Sequence, residues 1–502
     1  MMGLTFDDVT ESKDARTTQN TQGDVNAFQL SSIPDAATSK GLIPLPLTES
    51  LQKASSVDKQ FCGLLVVYDT CDNPYRKLIP LISSFPLLAD AIAASSACHY
   101  AFNDISNQNL SVLPPISESS WAFPATPSQD PTVQLVAKDL PESLAISPAY
   151  EHTLRFKHRA LHRLSESLND PIKRADDRTP AAILLLIMLD SLESGGGAWR
   201  SHLEGAKTLL QDRSRVSALA QRPDGAQTHA MVKELVSFVI DTCVEIEIMG
   251  STLARSRGYT VPLYFQLKDF TTLERLEQTS FVGCPAYLLE VILFVHSLRH
   301  SYLEPSPSMR PSDFMAGFTA TGGSQSDKSD LPSTLLDYIR SFDPASWAED
   351  KRITSGVLGY ESRFHAASAY KIAVYLYAAR VKSTKIPPQQ HDEEVNDLIQ
   401  HIVAIPSTDE VVKCTIWPTF IAGAESNTQE QRQTVLANLD KLWNIILSAN
   451  VRSASMVLKT LWRKQDEMRQ EQQGNGGDGV NEELPFNWIQ ELDRTKGNWL
   501  FI

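Results

Sequence analysis

The sequence predicts an all-α fold, a large domain of packed antiparallel helices. Apolar residues recur at three- and four-residue spacing through most of the chain. Glycine and proline stand between these periodic segments, at the positions where helices usually begin and end. No succession of short segments with alternating apolar and polar residues indicates a sheet.

The chain divides by composition into three parts. Residues 1–58 are rich in Ser, Thr, Asp, Gln and Pro without a sustained period, which predicts a disordered N-terminal segment. We expect the helical domain over residues 59–472, with a mobile loop near 304–331, and a flexible tail with a short helix over 473–502. The short apolar run at 61–68 fits a strand or a buried helix equally well.

Helices are predicted wherever an apolar stripe follows a plausible start signal. The predicted segments are 87–100, 148–168, 180–194, 198–210, 231–249, 285–300, 332–342, 358–382, 392–404, 408–424, 428–447, 451–472 and 486–493. Asn427 or Thr428 is the expected cap of the helix at 428–447.

The segment from 177 to 210 predicts two helices joined by a tight glycine turn. Thr179 is expected to cap the first helix, with Pro180 at its first position. Residues 183–189 are apolar on every side, which indicates a helix buried all round. The triple glycine at 195–197 should end this helix, because glycine readily adopts the left-handed conformation of a C-cap. Trp199 opens the amphipathic second helix.

The composition excludes several classes of protein. The net charge of −14 argues against a large surface for non-specific phosphate binding, which needs clustered Lys and Arg. No run reaches the roughly 18 apolar residues of a membrane helix, so we expect no membrane partner. The polar, acidic N-terminus is unlike a secretory signal, and the six cysteines are scattered, which favours an intracellular protein with free thiols.

Motifs of catalysis, nucleotide binding and metal binding are absent from the sequence, so we expect no enzyme and no catalytic, cofactor-binding or metal-binding residues. Two histidine pairs, His158/His162 and His296/His300, have the i,i+4 spacing that can place two imidazoles on one metal. No carboxylate or cysteine near either pair completes a site, which favours ordinary surface or core histidines.

Two other groups of residues have a functional and a structural interpretation. The basic segment 151–163 could contact DNA or an acidic partner, but a solvated helix face opposite a leucine stripe is the favoured interpretation. The tyrosines Tyr370, Tyr375 and Tyr377 could line a ligand cavity, but core packing is the default for aromatic residues at this spacing.

Five segments, in order along the chain, resemble one known family. The segment 198–210, AWRSHLEGAKTLL, resembles the W-x-x-H-L-x-G-A-x-x-L-L signature of the fungus-specific transcription-factor domain. Segments 73–101, 154–170, 364–381 and 416–426 resemble further stretches of that family, the last one its W-P-x-F-x-A-G-x-E motif. The resemblance covers about residues 58–472 and implies a helical regulatory domain of the kind found behind a zinc binuclear cluster.

The sequence departs from that family at the zinc cluster. The cluster needs two C-x-x-C pairs in a basic segment, whereas the cysteines here spread from Cys62 to Cys414 without such spacing. The resemblance therefore implies a nuclear transcriptional regulator without its own zinc cluster and with no direct DNA-binding motif. A start missing from the gene model is an open alternative.

Such a regulator is expected to control metabolic or secondary-metabolite genes through a DNA-bound transcription factor or a homodimer partner, with a small-molecule effector shifting its conformation. The alternative is a helical small-molecule-binding protein or enzyme that reuses the fold, with a pocket lined by Tyr370, Trp417 or Trp199. An interaction scaffold is a third interpretation.

The packing account of the hairpin can be tested at Trp199. We expect Trp199→Ala to lower the free energy of unfolding by roughly 3–5 kcal/mol, as loss of a buried aromatic side chain usually does. Urea unfolding of parent and variant measures the difference. Equal stability would mean that Trp199 is exposed and that the hairpin does not pack as proposed.

Overall fold

The computed structural model describes residues 61–70, 72–107, 148–196, 198–217, 226–255, 262–264, 271–279, 281–300, 335–355, 359–474, 486–495 and 497–502. By internal contacts the chain divides into Met1–Leu42 and Ile43–Ile502, and every described residue belongs to the second unit. Within the described ranges the regular structure is helical, which confirms the predicted all-α fold. The predicted disordered segment 1–58 and mobile loop 304–331 lie outside the described residues.

The first half of the chain contributes eight α-helices and one 3-10 helix, Arg76–Leu81, to the described residues. The α-helices are α1 (Pro86–Asn107), α2 (Pro148–Asn169), α3 (Pro171–Arg174), α4 (Arg178–Glu193), α5 (Trp199–Ser217), α6 (Ala226–Leu253), α7 (Thr272–Thr279) and α8 (Ala286–His300). The apolar run at 61–68, left open between strand and helix, begins with a helical turn at 61–64.

The second half contributes eight more α-helices and the 3-10 helix Glu410–Thr415. The α-helices are α9 (Leu335–Ser341), α10 (Pro344–Ser355), α11 (Tyr360–Val381), α12 (Pro388–Ala404), α13 (Ile416–Glu425), α14 (Gln429–Ile446), α15 (Ala449–Gly474) and α16 (Trp488–Arg494). The single helix predicted at 408–424 is therefore two elements that meet at Thr415.

Helix α10 was not predicted, although the sequence carries its start signal. Asp343 precedes Pro344, and the Asp343 carboxylate accepts hydrogen bonds from the backbone N–H of Ala345 (3.0 Å) and the hydroxyl of Ser346 (2.6 Å). An aspartate before a proline is a favourable helix start, because the side chain accepts the N–H groups that lack a helical partner. Because the sequence of α10 is mostly polar, apolar periodicity does not predict this helix.

The first helices pack around α4, which is buried from Thr179 to Leu192. Helix α1 packs along both α2 and α4, and α5 returns antiparallel to α4. The predicted all-round burial is confirmed, since no residue from Ile183 to Leu189 is more than 3% exposed. Such a helix contributes apolar surface on every side and therefore joins several neighbours.

The predicted cap of α4 is wrong. The helix begins at Arg178, so Thr179 lies inside it, buried, with its hydroxyl donating to the Lys173 carbonyl (2.7 Å). The Asp176 carboxylate accepts the backbone N–H of Arg178 (2.9 Å) and takes the role that Thr179 was expected to have. The end of the helix is as predicted, with Gly195 left-handed at φ +67°.

Helix α11 is the centre of the second half. It contacts α8, α9, α10, α12, α13 and the 3-10 helix at 410–415. Its Tyr370 hydroxyl lies 3.0 Å from the Val282 carbonyl and 2.9 Å from the Cys414 carbonyl. One side chain thus fixes α11 to the segment before α8 and to the 3-10 helix at 410–415. None of the described helices is both long and apolar enough to cross a lipid bilayer.

Helix α14 starts with a capping box that offers a clean test of local stability. The Thr428 hydroxyl accepts the Gln431 backbone N–H (3.2 Å), and the Gln431 side chain accepts the Thr428 backbone N–H (3.2 Å). We expect Thr428→Ala to destabilise the protein by about 1 kcal/mol. Chemical denaturation measures the loss, and Thr434→Ala, an exposed change inside the same helix, is the control. Equal effects of the two substitutions would contradict a capping role.

Candidate functional site

The hairpin turn at residues 194–196 is the docking point of the C-terminal tail, which we define as the described residues 486–495 and 497–502. The Leu500 backbone N–H donates to the Gly195 carbonyl at 2.6 Å, and Gly196 forms an isolated antiparallel bridge with Trp499. A Cβ at Gly195 would lie 2.6 Å from the Asn450 Cβ, closer than real Cβ atoms approach. The tail therefore requires glycine here for space as well as for backbone conformation.

Trp199, the first residue of α5, holds the same tail from the other side. Its side chain is fully buried and its indole Nε1 donates to the Asn498 carbonyl at 2.9 Å. The indole lies so close to Gly250 of α6 that a Cβ there would overlap the ring. Trp199 is thus buried, as the hairpin prediction requires, but against the tail and α6 together.

Asn450, at the start of α15, joins the hairpin to the tail. Its side-chain Nδ2 donates to the Ser191 hydroxyl (3.1 Å) and to the Ile502 carbonyl (2.9 Å). Asn450 is 1% exposed. Since a buried amide costs free energy unless it is hydrogen-bonded, these contacts favour the docked tail.

A second anchor of the tail is a buried carboxylate, Glu425, at the end of α13. The Trp488 indole donates to Glu425 Oε1 at 2.7 Å, and Arg380 Nε donates to the same oxygen at 3.0 Å. His391 Nε2 lies 2.9 Å from Oε2, and Arg380 also donates to the Phe486 carbonyl at 3.1 Å. Burial alone would raise the pKa of Glu425, but the Arg380 charge and the hydrogen bonds lower it to about 2.

Charged side chains also join α4 to α2, where Asp190 is buried and Lys157 and Glu193 are partly exposed. Lys157 donates to Glu193 (2.5 Å) and Asp190 (3.1 Å) of α4. Burial disfavours the Lys157 charge, but the carboxylates outweigh it and raise the Lys157 pKa. Burial lowers the pKa of the neighbouring His202, which favours its neutral form. His202 of the family signature is therefore a buried packing residue.

A further buried ion pair joins α5 to α6. Lys207 donates to Glu247 at 2.6 Å and to Glu204 at 3.0 Å, and Glu247 also accepts the Leu263 backbone N–H at 2.7 Å. Lys207 and Glu247 are each 1% exposed. A buried charge is strongly destabilising unless its partner lies beside it. The pair therefore constrains how α5 and α6 can pack against each other.

The histidine pairs singled out in the sequence do not form a site. His158 and His162 are exposed on α2, whereas His296 is buried in α8 and the His300 side chain lies outside the described ones. In the part of the chain that the structure describes, no group of three or more His, Cys, Asp or Glu residues is arranged to hold a metal ion.

The basic helix α2 uses its arginines mainly within the protein. Arg159 and Arg163 both donate to the carboxylate of Asp90 on α1, which is fully buried. Arg155 pairs with Glu151 one turn away. The basic face of α2 was predicted to face solvent. In the structure two of its three arginines form ion pairs with the neighbouring helix α1, so only part of this face is solvated.

The aromatic residues expected either in a cavity or in the core are packed against one another. The rings of Tyr370 and Trp417 stack at 5.8 Å, and the Tyr377 ring meets Trp417 edge-on at 6.1 Å. Tyr375 instead lies under Arg340. A small apolar cavity of about 10 Å³ does occur near Tyr75 and Leu185, but that is room for about one water molecule.

The described cysteines are free and buried: Cys62, Cys98, Cys243, Cys284 and Cys414. Burial raises the pKa of the thiols of Cys243 and Cys414 to about 12. These two thiols therefore remain protonated at neutral pH and are poor nucleophiles and poor metal ligands.

The sequence did not reveal the two tail anchors. Asn450 and Leu500 carry no local signal, because their partners lie in distant segments. Glu425 is the last residue of the W-P-x-F-x-A-G-x-E match. In the structure two other residues of that motif, Trp417 and Gly423, also form hydrogen bonds with distant segments. Trp417 donates to Thr252 (2.8 Å), and the Gly423 carbonyl accepts the Trp462 indole (2.8 Å).

Comparisons with known proteins agree with this architecture. The family model of the fungal specific transcription factor domain matches residues 58–501, which include the hairpin, Glu425 and most of the tail. The chain is 25% identical over 489 residues to the acriflavine sensitivity control protein acr-2 of Neurospora crassa, covering 92% of this chain and 70% of that protein. No solved structure matches the chain.

Tail docking can be tested at Gly195. We expect Gly195→Ala to destabilise the protein by about 1 kcal/mol or more beyond Gly283→Ala. Both glycines have the same left-handed φ, +67° and +66°, but a Cβ at Gly195 would lie 2.6 Å from the Asn450 Cβ and 2.8 Å from the Leu500 carbonyl, whereas one at Gly283 has contacts no closer than 3.1 Å. Thermal unfolding with limited proteolysis of the tail measures the difference. Equal losses would show that tail contacts do not constrain the turn.

The Glu425 anchor predicts a dependence on pH. Because the pKa of Glu425 falls from its ordinary 4.5 to about 2 on folding, its stabilisation is complete above pH 4.5 and is lost as the pH falls towards 2. We expect Glu425→Gln to destabilise the protein at pH 7 by roughly 3–5 kcal/mol, with the difference from the parent shrinking below pH 4. Urea unfolding at several pH values measures this. A pH-independent difference would contradict the assignment.

Proposed function

The chain belongs to the fungal specific transcription factor domain family, and from this membership we propose that it is a transcriptional regulator and not an enzyme. The observation that carries the proposal is the match of the family model over residues 58–501, nearly the whole described structure. The side-chain geometry is consistent with it, because the polar groups buried near the hairpin and tail bind one another and the backbone.

The regulator would reach promoters through a DNA-bound transcription factor or as a homodimer with a DNA-bound partner. The 502 residues contain no Cys-x-x-Cys pair, and two of the arginines of the basic helix α2 are engaged with Asp90. Affinity for DNA through counterion release requires free Lys and Arg side chains near phosphates. Contact with a protein partner is therefore favoured over direct binding of DNA by this chain.

Regulation would follow from a shift between two conformations of the domain. An effector or partner can shift such an equilibrium only by binding one state better than the other. We propose the tail as the moving element. Its contacts are concentrated at two anchors, Glu425 and the hairpin turn, so loss of these contacts would release it. Its release would expose the Trp199 and Trp488 side chains.

The proposed targets are metabolic or secondary-metabolite genes, including genes that set sensitivity to small toxic compounds. The second group is suggested by the name of the Neurospora crassa relative, which describes control of acriflavine sensitivity. The proposed site of action is the nucleus, where a regulator of transcription must meet its DNA-bound partner.

The decisive experiment is transcript profiling of a deletion strain of the source organism, with and without acriflavine. We expect a defined set of metabolic and detoxification transcripts to change and to be restored by the parent gene. A strain carrying Gly195→Ala tests the tail, and one carrying Gly283→Ala, at a glycine of the same φ away from the tail, is its matched control. We expect only the first to alter the regulated set.

Two results would overturn the proposal. One is an unchanged transcript profile in the deletion strain. The other is turnover of a metabolite by the purified protein without DNA or partner, since that would favour an enzyme on the same fold. Precipitation of a tagged parent chain from nuclear extract, followed by identification of bound promoters, distinguishes action through a DNA-bound partner from action away from DNA.

A further inference from the structure

Helix α2 exposes a line of apolar side chains on its outer face. Leu154, Leu161 and Leu168 follow one another at intervals of seven residues, which is close to two helical turns, so they lie in one line along the helix. Leu154 is 49% exposed, and Leu161 and Leu168 are half-buried. Ile172, four residues beyond Leu168 in α3, is 84% exposed. Leucines at seven-residue spacing are typical of a surface that packs against another helix.

A strip of charged and polar side chains runs along one side of the leucine line. Arg155 pairs with Glu151 one turn before it, and both side chains are exposed. His162 lies 3.7 Å from Glu166 one turn after it, and these side chains are exposed as well. The strip therefore carries an exposed arginine in the first half of α2 and an exposed glutamate in the second half.

A second copy of α2, placed antiparallel across the leucine line, matches this pattern. A two-fold axis that brings Leu161 against Leu161 of the second copy also brings Leu154 against Leu168. In an antiparallel pair the same side of each helix faces its equivalent, so Arg155 comes opposite Glu166 of the second copy, twice in the dimer. A parallel pair would instead place Arg155 level with Arg155 and Glu166 level with Glu166. Charge complementarity therefore favours the antiparallel pair.

We propose that the outer face of α2 binds α2 of a second copy of this chain, antiparallel and centred on Leu161. The 22 residues of α2 make a contact about 33 Å long and about 10 Å wide. That is smaller than the roughly 800 Å² per partner of a standard interface, so the association is weak and reversible.

The contact gives a surface to the homodimer named in the proposed function, and it rests on that function only for its role at promoters. Two copies held at neighbouring promoter sites by DNA-bound partners would meet at a raised effective concentration, which strengthens a weak contact. Association itself is a property of the purified chain. A chain that stays monomeric therefore overturns the contact without affecting the transcript experiment.

The first test is sedimentation velocity of the purified full chain from micromolar to submillimolar concentration. We expect a reversible equilibrium between monomer and dimer. Leu154→Glu should weaken the association about tenfold or more, because it places a charge without a partner in the apolar contact. The matched control is Val403→Glu, since Val403 is an apolar residue of α12 with a similar exposure of 52%. It should leave the equilibrium unchanged.

The second test exchanges the charges. Arg155→Glu and Glu166→Arg should each weaken self-association about threefold or more, because like charges then face each other twice in the dimer. A mixture of these two variants should form a heterodimer that is tighter than either homodimer, since both pairs are again of opposite charge. The matched control is Arg463→Glu on α15, because Arg463 has the exposure of Arg155 and also pairs with a glutamate, Glu467, one turn away.

Three results would overturn the proposal. The first is a parent chain that remains monomeric over the whole concentration range. The second is an equal effect of Leu154→Glu and Val403→Glu on the association. The third is a mixture of Arg155→Glu and Glu166→Arg that associates no better than each variant alone. Because the substituted side chains are exposed, an unchanged melting temperature is expected for each variant and separates loss of association from loss of folding.

Discussion

The hydrogen bond from the Leu500 N–H to the Gly195 carbonyl is the contact on which the arrangement of this domain depends. It places the last residues of the chain on a turn some three hundred residues earlier. The turn accommodates them because Gly195 and Gly196 leave no Cβ in the way of Asn450 and Trp499. Trp199 then closes over the tail through its bond to Asn498. The signature segment of the family is thus a receptor for the end of the chain.

Buried polar groups give this packing its specificity. Apolar surface alone would allow the helices to slide, since apolar contacts have no direction. A buried charge without its partner costs several kcal/mol, so Asp90, Asp190, Lys207 and Glu425 each favour one alignment of helices. The charges of these groups are compensated by neighbouring charged or polar side chains.

Much of the fold could be predicted from the sequence, and the candidate site largely could not. The burial of α4 and Trp199 followed from composition and spacing, and the glycine turn ended α4 as expected. The prediction that Thr179 caps α4 was wrong because Asp176 can accept hydrogen bonds at the same end of the helix. Local residue preferences do not show which of the two side chains will do so. The anchors at Asn450 and Glu425 join segments that share no local pattern. Pairwise proximity of that kind arises only when the helices pack.

The sequence by itself determined that this protein is all-α, where most of its helices lie, and which family it resembles, because helix periodicity and short motifs are properties of neighbouring residues. The tertiary structure alone decided what the motif residues do. It showed that His202 is a packing residue, that Arg159 and Arg163 neutralise Asp90, and that the glycines at 195 and 196 make room for the tail. The physical reason is that charge compensation and steric fit depend on distances across the fold, which the order of residues does not state.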